Sequence, residues 1–170
     1  MRKTKYPMMF LIVFLLFLPI FMFGQNSQHT VPVFNVLQFG AVGDGKTLDT
    51  KAIQRAIDEA AKTGNGAEVL VPAGHQYLIG TLELKSGINF HLQGDAELLI
   101  SINREDYSGD GVVTANGAND LTISGNGSIN GRALEFMSYY DKPNEWWIFK
   151  EWRPKLFILR ALRLMCVESS

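Results

Sequence analysis

Gly40-Ala41-Val42-Gly43-Asp44-Gly45-Lys46-Thr47 fits the spacing G-x-x-x-x-G-K-[ST]. In that arrangement backbone N–H groups cradle phosphates and the lysine neutralises them. Its neighbours argue against such chemistry. Asp44 would set a carboxylate beside the phosphates, and the helix-capping residues Asp49 or Thr50 come after Lys46-Thr47, where a phosphate loop starts its helix. No later apolar strand ends in an Asp suited to magnesium. The expected reading is a tight glycine turn with no nucleotide.

The remaining reactive side chains are scattered. Asp106, Asp110 and Asp120 flank turns around Gly109, Gly111 and Asn119, where Asp commonly bonds its own backbone. Glu105 and Asp106 adjoin, and consecutive residues of a strand face opposite sides. His91 alternates with Phe90 and Leu92 and so belongs on the other face, while His75 follows Pro72-Ala73-Gly74 at a turn. With no paired His, Cys cluster or acidic loop at ligand spacing, no metal and no cofactor is expected. The densest set is aromatic. Phe136, Tyr139, Tyr140, Trp146, Trp147, Phe149 and Trp152 fall within residues 132–152, beside Arg132, Lys142, Lys150, Arg153 and Lys155. Flat rings stack on sugar faces and cations meet the carboxylates of an acidic polysaccharide. Trp146, Trp147 and Arg153 are the candidate substrate-binding residues. Burial explains the same aromatics, and a short helix or loop held against the body is the preferred reading of the segment.

The elements that would position these residues are mostly strands. After the glycine turn, Ala52, Ile53, Ala56, Ile57 and Ala60 repeat at helical spacing, which predicts one amphipathic helix capped by Asp49 or Thr50. Its expected use is to cover the open end of the sheet that follows. From Glu68 the pattern changes to short β-rich runs: Glu68–Val71, Tyr77–Ile79, Thr81–Leu84, Ile88–Leu92, Glu97–Ile100, Gly111–Thr114, Leu121–Ile123 and Ser128–Ile129. Turn residues such as Pro72-Ala73-Gly74, Ser86-Gly87, Gly94-Asp95 and Gly125-Asn126-Gly127 fill the gaps. No helix separates the runs before residue 132, which excludes an alternating β-α-β sheet. The varied corners favour a coiled sheet, and composition leaves a sandwich open as well.

Longer motifs narrow the choice. Phe39-Gly40-Ala41-x-Gly43-Asp44-Gly45-x-Thr47-x-Asp49-Thr50-x-Ala52-Ile53-Gln54, Val71-Pro72-Ala73-Gly74 and Thr81-Leu82-x-Leu84-Lys85-Ser86 resemble the start of a bacterial polygalacturonase of glycoside hydrolase family 28. Gly125-x-Gly127-x-Ile129-x-Gly131 and Arg153-Pro154-Lys155-Leu156 fit the same N-terminal half, over about residues 33 to 159. Asn130 stands where family members usually carry Asp. The resemblance implies an all-β chain, a right-handed parallel β-helix of the pectin lyase-like type with one N-terminal capping helix. It implies pectin as substrate and inverting hydrolysis between two carboxyl groups. The family's Asn-Thr-Asp, Asp-Asp, Gly-His-Gly and Arg-Ile-Lys elements are all missing, so no catalytic residue is assigned. The expected function is therefore the N-terminal fragment of a polygalacturonase-like hydrolase, inactive alone. A non-catalytic polysaccharide-binding module and a pectate lyase fragment are the alternatives.

Residues 1–24 read as a signal peptide, with Arg2, Lys3 and Lys5 before the apolar run Met8 to Phe23. Cleavage after Gly24 would export the chain to the periplasm or beyond, and an uncleaved anchor is the runner-up. Residues 25–32 form a linker, and 33–170 the β-helix portion with the insertion 132–152. Without the leader the net charge is −4, with no basic run to suggest nucleic acid. Cys166 is the only cysteine, so no internal disulfide can form. Arg160 to Ser170 lack the polar corner of a further turn and read as a truncated or frameshifted tail.

Overall fold

The computed structural model describes residues 30–161. The leader, Cys166 and the tail beyond Ala161 lie outside the described residues. Within them, three parallel sheets are visited in rotation. Strands β1 (Val33–Asn35), β3 (Ala67–Val71), β6 (Ile88–Leu92) and β9 (Thr122–Gly125) form the first sheet in that order. The second contains β2 (Asp44–Leu48), β4 (Gln76–Ile79), β7 (Glu97–Ile100) and β10 (Ser128–Asn130). The third contains β5 (Leu82–Glu83), β8 (Gly111–Asn116) and β13 (Lys155–Arg160). Each circuit lays one strand on each sheet and stacks parallel on the circuit before, giving a right-handed parallel β-helix.

Alternation dictates which side chains fill the coil. Val69 sits beside Phe90 and Phe90 beside Ile123 in register, while Tyr77 and Leu98 stack on the second sheet and Leu82 and Val113 on the third. Val69, Phe90, Tyr77, Leu98, Leu82 and Val113 are all buried. Burial pushes the Tyr77 phenol up to about 12, and the nearby Asp49 charge adds to the shift. Between the buried positions, polar residues face outward in ladders. Glu97 accepts from Gln76 Nε2 at 2.6 Å and from Asn130 Nδ2 at 2.7 Å, linking three successive circuits.

The amphipathic repeat forms α1 (Thr50–Thr63), and its five predicted apolar residues are all buried. The helix takes the place a third-sheet strand would hold in the first circuit, between β2 and β3. It also completes the free edge of β5. Gln54 Nε2 donates to the Glu83 carbonyl at 3.0 Å, and the Glu83 N–H donates to Gln54 Oε1 at 2.9 Å. One side-chain amide thus supplies the two bonds a neighbouring strand would have made. Thr50 Oγ1 accepts from the Gly80 N–H at 2.8 Å, fixing the start of the helix to the same edge.

Two expectations need correction. Asp49 stands at the N-cap position, but its side chain makes no capping bond. It is almost fully buried and turns back, accepting from the N–H groups of Val42 at 2.7 Å and Gly43 at 2.9 Å. The second correction concerns Asp44–Leu48, read as a turn, which pairs with β4 as a strand. Its bulged register hides the alternation by which a strand is recognised. Gly43 requires its residue type, because φ is +68° and a Cβ would meet His75 Cβ at 2.8 Å.

Candidate functional site

The phosphate-like spacing does not produce an anion cradle. Besides the two N–H groups bound by Asp49, those of Lys46 and Thr47 donate to Asp44 Oδ1 at 2.9 and 2.7 Å. These bonds, that of Thr47 foremost, hold the Asp44 carboxyl below its ordinary value. Four of the loop's donors are thus engaged by the protein's own carboxylates, and those of Gly40 and Ala41 by the carbonyls of Leu37 and Val36.

Of the scattered acids, Asp106 has its carboxyl engaged locally, while Asp110 is tied through its backbone. Ser101 Oγ donates to Asp106, the Asp110 carbonyl accepts from the Lys155 N–H at 2.7 Å, and Asp120 sits at φ +53° in an exposed turn. His91 lies on the outer face of the first sheet, as alternation requires. Its Nδ1 is 2.8 Å from Ser124 Oγ, which donates to Asn89 Oδ1 at 2.8 Å. Among the described residues no group of three His, Cys, Asp or Glu converges on a common point.

The aromatic segment is built differently from the expected helix or loop. Strands β11 (Met137–Asp141) and β12 (Trp146–Phe149) form an antiparallel hairpin between the second-sheet strand β10 and the third-sheet strand β13. Its base is anchored as expected, by burial. Phe136 is buried in the core, and Trp152 packs edge-on against Phe136 and Tyr107, with ring centroids 6.0 and 5.0 Å apart. The Arg132 guanidinium, 3.2 Å from Glu135, tightens the approach; Glu135's own N–H foremost, and Arg132 after it, hold that carboxyl low.

Beyond this base the rings are exposed, and the ladder sorts them onto two faces. Tyr140 opposes Trp147 and Met137 opposes Phe149, so Tyr140, Trp147 and Phe149 share one face. Tyr139 opposes Ile148 and Asp141 opposes Trp146 on the other. The candidate pair Trp146 and Trp147 is therefore split between faces. Arg153 joins Trp147's face through Phe149, its guanidinium carbon 4.0 Å from that ring's centroid. A cavity of about 200 Å³ opens beside them, lined by Ile100, Gly131, Phe136, Phe149, Arg153 and Leu156. Phe149 and Tyr140 belong to the aromatic set read from the sequence but not to its candidate binding residues. The alternation of Trp146-Trp147-Ile148-Phe149 would have found Phe149 had the segment been read as a strand.

A second hollow of about 270 Å³ lies outside the third sheet, with Thr81, Ser108, Asp110, Thr114, Asn116 and Arg160 around it. Leu156, Ile158 and Arg160 alternate on β13, so one outward track of that strand runs from the hairpin cavity to this polar hollow.

Comparison with known proteins places this architecture. A family profile described as "Rhamnogalacturonase A/epimerase, pectate lyase-like" matches residues 33–148. The chain is 46% identical over 69 residues to a probable polygalacturonase of Vitis vinifera, covering 39% of this chain and 14% of that protein. It is 47% identical over 83 residues to an exo-poly-alpha-D-galacturonosidase of Dickeya chrysanthemi, covering 48% and 13%. The family 28 exopolygalacturonase of Yersinia enterocolitica superposes with a TM-score of 0.61 and 28% identity, over 78% of this chain and 33% of that one. The matched region is thus a small part of each relative's length. Coil, capping helix and profile agree, and the chain belongs to the rhamnogalacturonase A/epimerase, pectate lyase-like family, within the pectin lyase-like superfamily that holds the polygalacturonase-like hydrolases of family 28.

Proposed function

We propose that the chain is the N-terminal portion of an exported polygalacturonase-like glycoside hydrolase acting on pectin, that it binds the polysaccharide through Trp147 and Arg153, and that it is inactive alone. The observation carrying the substrate class is the family match over residues 33–148, together with relatives named for polygalacturonate cleavage. Inactivity follows from chemistry. Inverting hydrolysis needs an acid and a base about 6.5–9.5 Å apart on opposite sides of one bond. The family elements that resemblance assigns to those roles are missing from the sequence. Export rests on the leader.

The exposed hairpin also favours the second reading, a polysaccharide-binding module, because stacking alone holds a sugar without accelerating cleavage. Release of reducing ends from polygalacturonate by the purified chain, checked for β-rich circular dichroism, tests the proposal. No release is expected; steady turnover that survives repurification overturns inactivity. Retardation in a polygalacturonate gel but not in a neutral galactan gel is the expected sign of the substrate class. Equal mobility in both removes it. Mass spectrometry of exported protein is expected to find Gln25 at the mature N-terminus, and an intact Met1 in a soluble cytoplasmic fraction overturns export.

A further inference from the structure

We propose that one face of the β11–β12 hairpin, bearing Tyr140, Trp147 and Phe149 with Arg153 stacked on Phe149, is a subsite for a de-esterified uronate residue. The inference rests on the pectin reading above and narrows it, from a polysaccharide class to the ionisation state of one sugar and to one of the hairpin's two faces.

Exposure comes first. Trp147 and Phe149 are 47% and 44% exposed, and Tyr140 lies 5.4 Å from Trp147 between ring centroids. Contiguous aromatic surface of this kind on a folded body marks a contact site. The geometry of Arg153 comes second. Its guanidinium carbon lies 4.0 Å from the Phe149 ring centroid, a contact that uses the face of a planar cation and not its N–H fork. Among the described residues it makes no ion pair. Such a fork matches a carboxylate in two parallel hydrogen bonds, and a methyl ester removes both the charge and half the acceptors. The adjoining cavity of about 200 Å³ gives one sugar ring a place beside that fork.

Charge distribution comes third. Residues 31–131 hold six Lys and Arg against twelve Asp and Glu, whereas residues 132–155 hold five against four. Residues 31–131 repel a polyanion, whereas the hairpin segment carries net positive charge. A neutral glycan would gain nothing from that contrast.

The test is affinity electrophoresis of the full chain in gels containing de-esterified polygalacturonate, fully methyl-esterified pectin or neutral galactan, with circular dichroism confirming the fold of each variant. Retention on the de-esterified polymer is expected to fall about tenfold on methyl esterification, the worth of one charge-assisted pair. Trp147→Ala and Arg153→Ala should each weaken it by a similar factor, Arg153→Lys should keep part of it, and Trp146→Ala and Tyr139→Ala on the reverse face should leave it unchanged. Retention insensitive to esterification, or lost equally with Trp146→Ala and Trp147→Ala, overturns this inference and leaves the pectin reading standing. No retention on any anionic polymer overturns both.

Discussion

Asp49 shows how one carboxylate can hold a loop closed. Its two oxygens take the N–H groups of Val42 and Gly43, its own N–H donates to Leu78 at 2.8 Å, and its carbonyl accepts the first helical N–H, from Ile53, at 3.0 Å. The residue links glycine turn, second sheet and helix while being almost fully buried. Asp49→Ala leaves two donors without partners, an expected loss of about 2–3 kcal/mol in urea unfolding. That exceeds the roughly 1 kcal/mol of a helix cap, the role the sequence suggested. Lys46, an exposed residue of β2, should change stability by no more than about 0.5 kcal/mol on replacement by Ala. A smaller effect at Asp49 than at Lys46 would show the turn to be held by something else. Gly125 makes the complementary point about the Gly-x-Gly motif, with φ at +100° and a Cβ that would fall 1.9 Å from the Leu92 carbonyl oxygen.

At the scale of elements, α1 does two things with two faces. Ala52, Ile53, Ala56, Ile57 and Ala60 bury against the first circuits, while Gln54 reaches the exposed edge of β5. An unpaired edge strand is a template for association, and a side-chain amide that imitates a strand blocks it at little cost in length. Lys85, 2.9 Å from Asp58, clamps the same helix beyond that edge. Gln54→Ala is expected to cost about 1–2 kcal/mol, since two backbone groups lose their partners at a partly solvated site. Faster amide exchange at Glu83, read by hydrogen–deuterium exchange, should accompany it. Unchanged exchange there would mean that water replaces Gln54 fully. The hairpin is the opposite case, an element anchored at its base by Phe136 and Trp152 with its other rings exposed.

Over the whole described body, the first circuits are closed and the last is open. Helix α1 covers one end, whereas Ile123 and Phe157 are each 45% exposed around the interior hollow. Apolar surface exposed in this way promotes self-association. Phe157→Ser should reduce concentration-dependent light scattering and dye binding to apolar surface, at a stability cost of about 1 kcal/mol for a half-buried ring. Scattering that persists unchanged would place the sticky surface elsewhere, with the exposed hairpin rings next in line. The same body separates charge, acidic along the coil and basic toward the insertion, so salt should weaken any polyanion contact.

Some of this was written in the chain itself. The helix is legible because Ala52 to Ala60 repeat at its own period, and Ile88-Asn89-Phe90-His91-Leu92 is legible because alternation assigns each side chain a face. The glycine and proline motifs pointed to the coil through family resemblance. Local periodicity reports which side chains are buried, however, and says nothing about which strand lies beside which. Only the tertiary structure put Val69 on Phe90, gave Gln54 the edge of β5, and took Asp49 from the helix to the turn. The hairpin was hidden for a related reason. Its alternation is broken by a bulge between Met137 and Tyr139 and by aromatics on both faces, so no clean period survives in the sequence. Which ring shares a face with Arg153 is set by cross-strand register, a property of two segments together and of neither alone.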